Sequence, residues 1–495
     1  MGLIDNIIAA FSPERAYRRE AFRMAYEELK NYDAGNYLRP NQNWRAFNET
    51  AEITDRYSRD SVRARARDLE RNSDIMNAIF SAFRRNVIGH GFTLQARVEG
   101  NDGLNKELEK AWKRWCKKQN CDLTRTQNFE QIIRMAVNRK KIDGGILFIK
   151  CYTKDGIVPF KLQMAEVDDL DTTETVPRHK GNKVVGGIEY DEWNRPVGYY
   201  IRQYAIDGFS LLDSRYIEAK NVIFYFTKRR PSQIREMSDM APTMTRIRDI
   251  NEFMMAVSVK ERIEACLSVF IKRSMPVSGL GRQAVGTAEK PVEYKGKMIS
   301  PGMIQEMNPG DEIQTVNPGG QAADATSFTK LQQRLAGAGQ GLSYEASSRD
   351  MSQSNYSSAR QGMIEDELTY EEERELLINV MDEIYETFVI SAVLCGLIRI
   401  SDFWENTEKY LEHDWTQEPK AWIDPQKESN ANKIALMTGQ KTFKQLAAEN
   451  GKDWREQVKD IADVIEYGEQ SGVDMKAIMF GANAAQEETE HRDDE

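Results

Sequence analysis

The spacing of apolar residues changes character several times along this chain. Phe22, Tyr26 and Leu29 recur at i, i+4 and i+7, which predicts an amphipathic helix within residues 1–35. Gly35 to Pro40 breaks it. Residues 55–86 read as a second helix, arginine-rich at its start. Asn86-Val-Ile-Gly-His-Gly91 ends this helix, with Gly89 and Gly91 suited to the turn. Phe92 to Val98 alternates as a strand. The stripe Leu104, Leu108, Trp112 and Trp115 predicts a helix over 104–116, and another helix follows over 129–139. From about 145 to 226 strands take over. Ile146–Tyr152 and Ile157–Ala165 flank the turn Thr153-Lys-Asp-Gly156, and Gly187–Asp191 and Val197–Tyr204 flank Trp193-Asn-Arg-Pro196. Both are hairpin signals, and Asn221–Thr227 is a further strand.

The helical period then returns. Ile247, Ile250, Met254 and Val257 predict one long helix from Pro242 to about Ile271, with proline near its start. Residues 272–325 are dense in Gly and Pro and read as a small, loop-rich β module. A short helix over 326–336 runs into Gly337-Ala-Gly-Gln-Gly341, where tight packing at a helix end is expected. Tyr356 to Ile398 contains no proline and two glycines, Gly362 and Gly396; as one helix it would measure roughly 65 Å. Residues 420–480 read as a helical module. Asp424-Pro425 starts it, Thr442-x-x-Gln445 and Asp453-x-x-Glu456 have the form of capping boxes, and Gly439 and Gly451 are stops. The acidic tail 486–495 is expected to be disordered.

Composition narrows the function. The apolar share of 40% is lean for one compact globule, and with 29% charged residues it favours several domains. A net charge of −10 argues against a protein that grips DNA by neutralising phosphates, though not against one that DNA slides through. The five cysteines, Cys116, Cys121, Cys151, Cys266 and Cys395, form no CxxC pair and read as reduced thiols. The N-terminus lacks both a myristoylation signal and a basic segment before an apolar core. The strongest apolar run, Phe388–Ile398, is too short to span a bilayer. An intracellular, soluble protein is expected.

No catalytic motif emerges. GxxxxGK[ST] and GxSxG are absent, and Gly279-Leu-Gly-Arg-Gln-Ala284 imitates a dinucleotide fingerprint outside a strand-to-helix setting. The four histidines, His90, His179, His413 and His491, are dispersed and show no zinc-ligand spacing. Glu166-Val-Asp-Asp-Leu-Asp171 reads first as a solvated loop and only second as a cation site. Arg56, Arg59, Arg63 and Arg67 fall near one helical face with Asp55, Asp60, Asp68 and Glu70 among them. The principal reading is a salt-bridged helix at a surface or subunit interface, with phosphate contact as the alternative.

Four segments, taken together, resemble the lambda-type portal proteins of tailed bacteriophages. They are Arg67–Asn72 with Asn86–Leu94; Val222–Pro231 continuing to Pro242; Gly341-Leu-Ser-Tyr344 through Asn355-Tyr-Ser-Ser-Ala-Arg360; and Ile423–Glu428 with Gly439-x-x-Thr442 and Glu449-Asn-Gly451. The chain departs from the family at Ser232 and Glu236-Met237, where glycines are usual. The resemblance implies an α+β portal fold. An α/β wing would cover 1–240, a first stem helix 241–271, a β-containing clip 272–325 and a second stem helix 326–342. A tunnel loop would cover 343–357, a long helix with the rest of the wing 356–424, and a helical crown 425–485.

The resemblance also implies a structural, non-enzymatic ring subunit, usually one of twelve, at a capsid vertex of the virion. The ring would assemble in the host bacterial cytoplasm. Its expected partners are further copies of the chain, double-stranded DNA passing through the channel, the terminase large subunit, head–tail adaptor proteins, and major capsid and scaffolding proteins. Cofactor, metal, catalytic residue and membrane have no expected part. Arg349 and Arg360, flanking the tunnel loop, are the foremost candidates to meet DNA. Lys330 and Arg334 on the second stem helix come next, then Ser348, Gln353 and Asn355 in the loop. An intersubunit salt bridge is the competing role for Arg360. A helical scaffold or adaptor and, with less support, a DNA-packaging ATPase are the rival functions.

Overall fold

A computed structural model describes residues 12–14, 17–18, 48–204, 211–265, 269–273, 311–315, 322–352, 356–417, 425–452 and 454–480. The expected stripe Phe22, Tyr26 and Leu29, most of the clip, Gln353, Asn355 and the tail 486–495 lie outside the described residues. The chain forms two compact units, Met1–Tyr57 with Arg230–Gln233, and Ser58–Arg229 with Ile234–Glu495. In the first, α1 (Ala51–Asp55) begins where the Ala51 amide donates to Ser232 Oγ at 3.0 Å, and Arg230 donates to the Glu49 carbonyl at 2.7 Å.

The second unit opens with α2 (Arg59–Asn72) and α3 (Asp74–Phe83). The single helix expected over 55–86 is broken at Ser73. This residue takes extended angles, and its side chain accepts from the Met76 amide at 3.4 Å. A π-helical turn, Arg84–Ile88, ends at Gly89, and both Gly89 and Gly91 take positive φ. β1 (Phe92–Ala96), α4 (Asp102–Trp115) and α5 (Phe129–Asp143) follow. The predicted stripe Leu104, Leu108, Trp112 and Trp115 is wholly buried. Trp115 stacks on Phe160 with centroids 5.3 Å apart, and its indole N–H donates to the Phe160 carbonyl at 2.9 Å, so its one polar atom is satisfied in the core.

β2 (Gly145–Tyr152) is the centre of a three-stranded antiparallel sheet, between β3 (Phe160–Ala165) and β8 (Val222–Phe226). Its run of apolar residues is explained by burial on both faces. Ile146 and Phe148 enter the main core, while Leu147 and Ile149 enter a second, smaller one. That smaller core lies under a four-stranded meander of β4 (Lys183–Val185), β5 (Ile188–Tyr190), β6 (Pro196–Tyr204) and β7 (Leu211–Glu218).

α6 (Met244–Ala265) is shorter than the helix expected to about 271, because β9 (Val269–Arg273) is a strand paired antiparallel with β10 (Asp311–Thr315). α7 (Ala322–Ala338) starts earlier than expected. It packs antiparallel to α6: Arg246 donates to Gln332 Oε1 at 2.7 Å, and the Phe253 and Phe328 rings are 4.7 Å apart. α8 (Tyr344–Ser348) precedes the long α9 (Tyr356–Leu394), which stops at Gly396 with φ of 75°. After α10 (Thr407–Leu411), β11 (His413–Gln417) pairs antiparallel with β1 across more than 300 residues of sequence. α11 (Pro425–Met437), α12 (Phe443–Glu449), α13 (Trp454–Gln470) and α14 (Met475–Phe480) form the C-terminal module. The Thr442–Gln445 capping box is present, with the Thr442 amide donating to Gln445 Oε1 at 2.8 Å and the Gln445 amide to Thr442 Oγ1 at 3.2 Å.

Candidate functional site

The C-terminal end of α7 is where the expected channel residues gather, and three glycines make the junction possible. A Cβ on Gly337 would lie 2.7 Å from Ser347 Oγ, one on Gly339 2.5 Å from Thr243 Cγ2, and one on Gly341 2.7 Å from Thr369 Oγ1. These neighbours belong to α8, the start of α6 and α9. Alternate glycines thus let one helix end nest against three elements at once. Gln340, between them, donates to the Asp239 carbonyl at 3.1 Å and Thr243 Oγ1 at 3.2 Å. On the other side, Thr369 Oγ1 donates to the Gly341 carbonyl at 2.7 Å. Asp366 accepts from the Ser343 amide at 2.6 Å and from the Ser343 hydroxyl at 2.7 Å. Burial pushes the Asp366 carboxyl above the ordinary range, against the pull of those two hydrogen bonds.

The expected tunnel loop is partly helical. Ser343 caps α8, its oxygen accepting from the Ala346 amide at 3.2 Å. Ser348, expected in a flexible loop, is the last residue of this helix, and its hydroxyl donates to the Tyr344 carbonyl at 2.7 Å. Arg349 follows in the left-handed conformation, φ 60° and ψ 20°, exposed and without a side-chain ion pair among the described residues. Lys330 lies 3.7 Å from the Asp350 carboxylate, and the Arg334 guanidinium sits 5.3 Å from the centre of the Tyr344 ring. Arg360 is exposed near the start of α9. The structure therefore brings Lys330, Arg334, Ser348 and Arg349 around one short helix. Sequence reasoning missed Tyr344, Asp350, Asp366 and Thr369. The Ser343 cap was the one local signal available.

Behind this junction lies a buried ionic cluster. Glu373 of α9 is 2.6 Å from Lys140 and 3.0 Å from Lys141, and accepts from the Tyr225 hydroxyl at 2.6 Å. Asp239, just before α6, is 2.9 Å from Lys140, 3.4 Å from Lys141 and 2.8 Å from Arg229. Burial alone would raise the Glu373 carboxyl, but the two ammonium groups and the donated hydrogen bonds outweigh it and bring it down to about 2.

The arginine-rich helix is engaged within the chain. Arg59 donates to the Glu236 carbonyl at 3.0 Å, Arg63 lies 3.1 Å from the Glu236 carboxylate, and Arg67 lies 2.6 Å from Asp143 and Asp168 and 3.0 Å from Glu166. The salt-bridged reading holds for Arg63 and Arg67, whose pairing leaves phosphate contact through them without support, while Arg59 is held by a backbone carbonyl. The same pairs occupy Glu166 and Asp168, the carboxylates entertained as a cation site. No helix among the described residues is long and apolar enough to cross a membrane.

The sequence matches the family described as phage portal protein, lambda family, over residues 38–374, about two-thirds of the chain. The chain belongs to this family of virion structural proteins, which are not enzymes. It is 24% identical to the probable portal protein of Halomonas phage phiHAP-1, covering 88% of this chain and 86% of that one. It is 20% identical to portal protein B of Escherichia phage lambda, covering 79% and 81%. Among solved structures it resembles a chain in the neck of the native gene transfer agent particle computed with C12 symmetry, at 11% identity and a TM-score of 0.40, covering 76% of this chain and 90% of that one.

Proposed function

We propose that the chain is one subunit of a ring, usually of twelve, through which viral DNA enters and leaves the capsid. α6 and α7 form the stem, β9 and β10 part of the clip, α9 the long wing helix and α11 to α14 the crown. The observation that carries this reading is apolar surface that the chain leaves uncovered on the stem. Ile247 and Ile250 are buried, but farther along α6 Met254, Met255 (69% exposed) and Val259 are not. Phe328, Leu331 (54%) and Leu335 on α7, and Met363, Ile364 and Leu368 (55%) on α9, are likewise exposed. Covering a Leu, Met or Phe is worth about 1.5–3 kcal/mol, and neighbouring copies supply the cover.

Twelve copies would carry about −120 at twelve times the chain charge of −10, so a bore that repels phosphate suits passage without adhesion. Arg349 and Arg360 are the cations proposed to steady the duplex. The terminase large subunit docks on the clip during filling and head–tail adaptors replace it there, while capsid and scaffolding proteins surround the wing and crown. Electron microscopy with light-scattering mass tests the ring. Rings with an axial channel near 680 kDa, twelve chains of 56.8 kDa, are expected. Only monomers, even after co-expression with capsid and scaffold, would overturn it. Arg349→Ala and Arg360→Ala should assemble but lose packaged DNA, and normal retention in both would remove their assignment.

A further inference from the structure

The geometry around α8 assigns Tyr344 and Asp350 as positioning residues that present Arg349 to the phosphates of passing DNA, an inference that rests on the channel reading above. A bulky residue in the left-handed region is disfavoured and persists where its surroundings fix it. Both sides of Arg349 are fixed. Before it, α8 is held to α9 by the two hydrogen bonds from Ser343 to Asp366. After it, the Asp350 amide donates to Ser348 Oγ at 3.1 Å, and the Asp350 carboxylate accepts from the Tyr344 hydroxyl at 3.2 Å and the Ser352 amide at 3.0 Å.

The local charges sort accordingly. Lys330 faces Asp350 at 3.7 Å, and Arg334 lies over the Tyr344 ring. Arg349 is exposed and has no ion pair among the described residues, and its backbone is held in the left-handed conformation. Tyr344 is the shared part, since its hydroxyl holds the residue after Arg349 and its ring lies beneath a cation of the second stem helix. A backbone so fixed presents the arginine from one place on the loop, so that only its side chain has to be ordered when it meets a phosphate.

The test compares Tyr344→Phe, Asp350→Asn, Arg349→Ala, Arg349→Lys and the Arg349→Ala/Asp350→Asn pair in assembled particles. It scores rings by microscopy and counts nuclease-protected DNA per particle at several salt concentrations. Tyr344→Phe and Asp350→Asn should form rings yet lose DNA several-fold, as Arg349→Ala does. Arg349→Lys should retain part of the function, and the pair should be no worse than Arg349→Ala alone. Normal DNA content in Tyr344→Phe and Asp350→Asn beside a defective Arg349→Ala would overturn the positioning role and leave the channel reading standing. Additive losses in the pair would also overturn it, because Asp350 would then act independently. Normal DNA content in Arg349→Ala would remove the DNA contact itself, and this inference with it.

Discussion

Glu373→Gln isolates one charge in the buried cluster while preserving shape and a partner for Tyr225. Its cost can be worked in two ways. Moving the carboxyl from its ordinary 4.5 to about 2 corresponds to about 3 kcal/mol at neutral pH. Breaking a buried ion pair by removing one partner typically costs about 3–5 kcal/mol, because Lys140 and Lys141 would keep only Asp239 between them. The two agree on about 3 kcal/mol, which should lower the thermal midpoint of a unit as large as the main one by about 3 °C. The sign with pH follows from the depressed value. The contribution is fully present above about 4.5 and is lost as pH falls toward about 2, so the gap between parent and variant is constant from pH 7 to 5 and narrows below that. Circular dichroism melts of the purified protein across that range measure it. A variant melting within about 1 °C of the parent at pH 7, or a gap that stays constant into acid, would refute the reasoning.

Gly144→Ala should be among the most damaging single changes. Gly144 has φ of 91°, and a Cβ there would lie 2.4 Å from the Met237 carbonyl carbon, which is backbone and cannot rotate away. Left-handed strain and overpacking together put the loss at about 3 kcal/mol or more, read as reduced soluble yield and an early melt. His413 has the Leu411 carbonyl at 2.7 Å from Nδ1 and Asp382 at 3.0 Å from Nε2, so only the imidazolium can donate to both. Burial would lower its pKa, but the bonds to Asp382 and Leu411 and the charges of Asp382 and Glu386 raise it overall. Its stabilisation is therefore full below the ordinary histidine range and is lost as pH rises through the raised value. His413→Gln should destabilise most near pH 6 and least near pH 9 in the same melts.

Local pattern made most elements legible. The stripe of Leu104, Leu108, Trp112 and Trp115, both hairpins, the long helix and the Thr442 cap are set by residues within a few positions of one another, and each appears. What escaped depends on distant partners. β11 is a strand because β1 needs one, although nothing in His413–Gln417 announces it. β7 and the meander around it were only half visible, since Lys183–Val185 is too short to carry a period. At the candidate site, the glycines of Gly337–Gly341 signalled close packing but not that Thr243, Ser347 and Thr369 would be the residues packed. Lys330 and Arg334 looked like free cations because Asp350 and Tyr344 are their neighbours in space, not in sequence.

Along α9, Asp366 and Thr369 hold the loop root, Glu373 shares its lysines with Asp239 ahead of α6, and Asp382 receives His413 and Trp415 from the strand that leads toward the C-terminal module. These attachments span residues 366 to 382, about 24 Å of a single helix at 1.5 Å per residue. Parts bolted to one stiff shaft share its rotation. A load applied at the loop root is therefore shared with the other attachments along the shaft rather than absorbed where it falls.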